Sequence, residues 1–94
     1  MIVRIDIYQD ESAGVSYSVS AEHQALYDGA GFSSIVNALA AAVEGLGSDV
    51  RAAELAFGGV VSGTYPLRVI ATRPTEVAQH AVNTTQAVYE AERD

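Results

Sequence analysis

Nucleophilic catalysis needs a hydroxyl or thiol beside a base, and the only imidazole bases in this chain are His23 and His80. His23 lies in the polar run Glu22-His23-Gln24, the setting of a solvated loop. His80 follows Glu76 by four residues in a helical segment, so the two share a face and supply at most half a metal site; a surface charge pair accounts for them. Serines are numerous, but none sits in a G-x-S-x-G elbow. Gly29-Ala30-Gly31 stands before a helix, where N–H groups bind anions, yet Ser34 occupies the place of a third loop glycine. With no Lys to complete a phosphate loop, a turn and a helix cap explain these residues. Cys is also absent, which removes disulfides, thiolate nucleophiles and Cys-ligated zinc. The chain is therefore expected to be no enzyme and to hold no metal or cofactor.

Charge says more than any motif. Twelve acidic residues against five basic ones give 94 residues a net charge of −7. Direct nucleic-acid binding needs clustered cations, whereas Arg4, Arg51, Arg68, Arg73 and Arg93 are scattered. A cationic partner is electrostatically easier, although moderate negative charge also serves solubility alone. The closing run Glu90-Ala91-Glu92-Arg93-Asp94 sets acids at a helix C-terminus, the end whose dipole favours cations. An acidic contact patch for a basic protein is one reason for that placement, and a fraying terminus is the other. Five of the seven aromatic residues are Tyr. Parity sends Tyr17, Tyr65 and Tyr89 to the core and leaves Tyr8 and Tyr27 for a binding surface. The candidate partner-binding residues are thus Tyr8, Asp10, Glu11, Tyr27, Asp28, Glu90 and Glu92.

The elements that must position them follow from periodicity. Val3, Ile5 and Ile7 alternate with Arg4, Asp6 and Tyr8, and Val15, Tyr17 and Val19 alternate with Ser16, Ser18 and Ser20, which predicts a hairpin. Ala21 to Gly31 has no sustained period and reads as a loop with turn chemistry at Asp28-Gly29-Ala30-Gly31. Phe32, Ile35, Val36, Leu39, Val43 and Leu46 form a helical stripe, capped by Ser33 or Ser34 and stopped by Gly45 and Gly47. Asp49 to Phe57 fits a strand or a short helix, and we favour a strand running through a bulge at Gly58-Gly59 to Val61. Tyr65 to Thr72 alternates as a further strand. A second helix starts near Thr72-Arg73-Pro74, with Val77, Ala78, Ala81, Val82, Thr85, Val88 and Tyr89 on its buried side.

The expected order is ββαββα, a single α+β domain over residues 1–94. Its form is a two-layer sandwich, a four-stranded mainly antiparallel sheet with two helices on one face. The open sheet face would carry Arg4, Asp6, Tyr8, Ser16, Ser18, Ser20, Arg68 and Ile70. The hairpin, loop and Ala-rich helix from Ile2 to Leu46 are similar in coarse plan to the HicB-like antitoxin half-domain. They lack the Pro- and Gly-containing segment which that family places between hairpin and helix, and no residue role is carried over. No signal-peptide pattern and no apolar run of membrane-spanning length is present, so a cytoplasmic location and no membrane partner are expected.

Three functions fit these features. The first is an acidic protein-binding module such as an antitoxin, an immunity protein or a phage inhibitor of a nuclease or CRISPR complex, blocking a basic nucleic-acid-binding surface. The second is a structural homo-oligomer, a homodimer in its simplest form, pairing through a small-residue face. The third is a small ligand-binding or enzymatic module built on the loop around His23, Tyr27 and Asp28.

Overall fold

Alternation decides the first strand, because Val3, Ile5 and Ile7 can all leave water only if the segment is extended with one face covered. All three are at most 1% exposed. The computed structural model describes residues 1–12 and 14–93. Its elements are β1 (Ile2–Asp10), β2 (Gly14–Ala21), β3 (Gln24–Phe32), α1 (Ile35–Glu44), β4 (Ala52–Phe57), β5 (Val60–Pro66), α2 (Leu67–Thr72) and α3 (Pro74–Arg93). The class is α+β, as the periodicity predicts, but the sheet has five strands in the order β3-β2-β1-β4-β5.

The expected hairpin is present, with Ile5 opposite Val19 and Ile7 opposite Tyr17. Its neighbours Arg4, Asp6 and Tyr8 lie across from Ser20, Ser18 and Ser16 on the uncovered face. On its other side β1 pairs in parallel with β4, Val3 with Ala53 and Ile5 with Leu55, so the sheet is mixed. α1 supplies the crossover that a parallel pair requires. Ser34 caps it by accepting the Asn37 N–H at 3.1 Å. Ala38, Leu39 and Ala42 face the strands, and α1 lies on β1 to β3 while α3 lies on β4 and β5. Leu39 is fully buried, which stabilises the fold by about 1.5–3 kcal/mol relative to an exposed side chain.

Four expectations are corrected. The supposed loop from Ala21 to Gly31 is mostly the edge strand β3, whose alternation is blurred because its pairing with β2 shifts register twice, between Ala25 and Tyr27 and between Gly29 and Phe32. Gly29 there answers to packing rather than turning: a Cβ would stand 2.6 Å from Tyr17 Cε2. Gly58-Gly59 is not a bulge but the two-residue turn joining β4 to β5, with φ of 59° and 84° as a type I′ turn demands. The irregularity in that pair falls between Leu55 and Ala56, opposite Gly63 and Val61, so the extra residue is Ser62. Finally, Pro66 ends β5, and Leu67–Thr72 is a short helix rather than a strand. Leu67 and Ile70, three apart, turn inward with Ile70 1% exposed, so Arg68 and Ile70 do not belong to the open sheet face, and the helices among the described residues number three.

Removing the α1 cap is expected to matter because its hydroxyl satisfies an N–H that has no partner within the helix. Ser34→Ala should lower unfolding stability by about 1 kcal/mol, read from urea denaturation, with the spectrum of the native state unchanged.

Candidate functional site

Because β1 and β4 run parallel, their C-terminal ends fall at the same end of the sheet, where Ile7 pairs with Phe57. Beyond Ile7 the β1–β2 hairpin carries Tyr8, Asp10 and Glu11; beyond Phe57 comes the Gly58-Gly59 turn. α3 begins at the opposite end and returns along β4 and β5 to reach that turn. Two side chains fasten it there: the Thr85 hydroxyl donates to the Phe57 carbonyl and the Tyr89 hydroxyl to the Gly58 carbonyl, each at 2.8 Å. Glu90 and Glu92 therefore arrive at the end that holds Asp10 and Glu11, all four exposed. Asp10 also accepts the N–H and hydroxyl of Ser12, both at 2.8 Å, which shapes the hairpin tip. Arg93 closes α3, and no other cation among the described residues belongs to this end.

At the opposite end cations accompany the acids. Arg4, Arg51, Arg68 and Arg73 stand there with Asp6, Glu22, Glu44, Asp49, Glu54 and Glu76, four positive groups against six negative ones. Arg4 donates to Asp6 at 3.1 Å and to Glu54 at 3.2 Å, and the Asp6 hydrogen bond raises its guanidinium further above its ordinary value. Arg73 pairs with Glu76 at 3.8 Å. The molecule is thus electrostatically lopsided.

At the acidic end Phe57 and one side of α3 line a groove of about 460 Å³, with Val82, Thr85 and Tyr89 beside Phe57 and with Gln86 and Glu90 completing the lining. On α3 these are one stripe, at positions 82, 85, 86, 89 and 90. Tyr89, expected in the core, is 48% exposed, since its ring must reach outward to place its hydroxyl on the turn. Val88 is 36% exposed beside it. The helical spacing of this stripe is legible in the sequence. Its facing partner Phe57 is not, because the groove forms only where α3 packs along the end of β4, which no local spacing specifies.

The remaining candidates scatter. Tyr8 is 47% exposed on the open face. Asp28 is exposed on β3 across from Ser18, at mid-sheet and away from the acidic end. Tyr27 turns inward, its ring edge-on to Tyr17 at 6.0 Å and its hydroxyl donating to the Ala42 carbonyl. His23 shares a two-residue turn with Glu22, both at positive φ, beside a cavity of about 260 Å³ that also meets Arg4, Ser20 and Glu54. His80 packs edge-on to Tyr65 at 6.4 Å, while Glu76 is taken by Arg73. Among the described residues no three acidic or imidazole side chains converge as a metal site requires, and no helix is long and apolar enough to cross a membrane. The chain matches no family model, and no curated protein or solved structure is significantly similar to it.

Two measurements test this geometry. At Gly58 a Cβ would stand 3.2 Å from the Tyr89 hydroxyl and 3.4 Å from Thr85 Cγ2, whereas at Gly59 it would meet nothing within 4 Å. Both glycines have positive φ, so alanine at either should cost about 1–2 kcal/mol, with Gly58→Ala the larger and the only one to shift the Tyr89 ring resonances. Burial, with a smaller contribution from Tyr17, pushes the Tyr27 phenol above its ordinary 10.0. The folded state then holds this proton more tightly than the unfolded chain, so stability is level below about pH 10 and falls as pH rises above it. Tyr27→Phe should flatten that alkaline fall in thermal melts recorded between pH 8 and 11.

Proposed function

We propose that the chain is a non-enzymatic binding protein whose acidic end occupies a basic surface on a partner protein, of the kind with which proteins hold nucleic acid. The observation that carries this reading is the placement of Glu90 and Glu92. They stand in the last turns of α3, where the helix dipole already concentrates negative potential, and the Thr85 and Tyr89 hydrogen bonds fasten that helix end to the β4–β5 junction, at the same end of the sheet as Asp10 and Glu11. Fold stability gains nothing from this arrangement, because the charges repel one another and the dipole. Local rules broken without a stabilising return are the ones to associate with binding. Carboxylates gathered in this way offer a cationic groove the same charge that phosphates would.

A self-associating reading has one observation of its own: β3 is an edge strand of nine residues whose outer side pairs with nothing among the described residues. Light scattering that shows a concentration-dependent dimer with no partner present would favour it.

The test of the main reading joins retention to stability. A lysate passed over the immobilised protein at low salt should yield a basic, nucleic-acid-handling protein that elutes between about 0.1 and 0.5 M salt, where exposed ion pairs are screened. Glu90→Gln with Glu92→Gln should lower the salt needed for elution and, at the same time, raise the melting temperature slightly. Retention that ignores both changes would count against the proposal.

A further inference from the structure

The groove at the acidic end is more than a neutral neighbour of the carboxylates. Resting on the acidic-partner reading above, we infer that it seats a short basic segment of the partner, with one or two aliphatic or aromatic side chains entering between Phe57, Val82 and Tyr89 while flanking Lys or Arg residues meet Glu90 and Glu92. Three features of the molecule select this occupant.

The first is room with an apolar lining. About 460 Å³ lies within the ~300–1,000 Å³ of pockets that enclose ligands, and the groove is open along one side, as a continuous peptide chain needs. Tyr89, which lines it, leaves 48% of its surface in water. The second is rigidity. The stripe cannot close over the groove, because the buried Thr85 and the Tyr89 hydroxyl bind it to consecutive carbonyls of the β4–β5 junction. An apolar surface held open in this way loses no conformational freedom when it is filled.

The third is charge. Glu90 lines the groove itself and Glu92 follows on the next half-turn, with Asp10 and Glu11 at the same end of the sheet. An apolar anchor flanked by cations satisfies both the floor and the rim; a neutral or acidic segment satisfies the floor only. A second copy of this chain is a poor occupant. It carries a net charge of −7, and of its arginines Arg4 and Arg73 are already ion-paired at the far end. Anchors in a groove with charges at its margin are a recurring mode of peptide recognition.

Selection of random twelve-residue peptides displayed on phage, against the whole protein at low salt, tests the inference without knowledge of the natural partner. The expected result is a consensus with an apolar residue flanked by Lys or Arg. A synthetic peptide of that consensus should shift amide resonances of Phe57, Val82, Gln86 and Tyr89. Gln86→Trp, a change at an exposed position that fills the groove, should weaken that peptide at least about tenfold, and replacement of its anchor by Ser should do the same. If Gln86→Trp alters the fold by circular dichroism, the resonance map and the Ser peptide decide alone. A basic consensus without an anchor, lost on Glu90→Arg with Glu92→Arg but indifferent to Gln86→Trp, would overturn the groove and leave the acidic-partner reading intact. A consensus with neither basic residues nor an anchor would overturn both.

Discussion

The parallel pairing of β1 with β4 is the constraint on which the rest of the molecule depends. Antiparallel hairpins build themselves from neighbours in sequence, but this pair joins segments about fifty residues apart and closes only after α1 has crossed the sheet. Once closed, it puts β1 at the centre, with β2 on one side and β4 on the other, and Ile5 without solvent contact. It also fixes which loops become neighbours. The β1–β2 tip, the β4–β5 turn and the last turns of α3 fall at one end of the sheet because two strands point the same way, and they would be divided between its two ends if β4 were reversed.

Small side chains make that closure possible. Ala38 and Ala42 on α1, Ala53 on β4 and Ala81 on α3 are almost wholly buried among larger aliphatics from the strands. Helices with alanine at their contact positions approach the sheet closely, so the core depends on fit more than on bulk. Aromatic residues are used at the margins. Tyr17, Tyr27 and Phe32 pack together under the β3 side, and the Tyr27 hydroxyl reaches an α1 carbonyl. Tyr89 plays the matching part under the β4–β5 side. In both places a phenol joins a helix to the sheet layer by donating to a single main-chain carbonyl.

Where two faces of a segment meet different surroundings, its place was legible from the residues. β1 and β2 alternate cleanly because one side is core and the other water, and α1 and most of α3 carry continuous stripes for the same reason. Legibility failed where that contrast fades. β3 is an edge strand with two extra residues against β2, one between Ala25 and Tyr27 and one between Gly29 and Phe32, so its parity changes along its length and Gln24 to Phe32 shows no period. Leu67 to Thr72 is too short for period two and period 3.6 to be told apart when β-branched residues dominate, and only the buried Ile70 reveals the helical turn. The paired glycines at 58 and 59 were ambiguous until φ was known. Of the candidate site, the carboxylates at both chain regions were readable, but not that Asp10 and Glu90 share an end, for this depends on the parallel register alone.

The two hydroxyl bonds that fasten α3 to the β4–β5 junction have a consequence for when electrostatic work is done. Left to fray, the final turns would carry Glu90 and Glu92 away from the end of the sheet that holds Asp10 and Glu11. Fastened at Phe57 and Gly58, the helix end is set at that end of the sheet as the chain folds. The potential at this end is therefore built before any encounter. An approaching cation meets a field already assembled, which hastens its capture and spares it the reorganisation that a flexible acidic tail would demand.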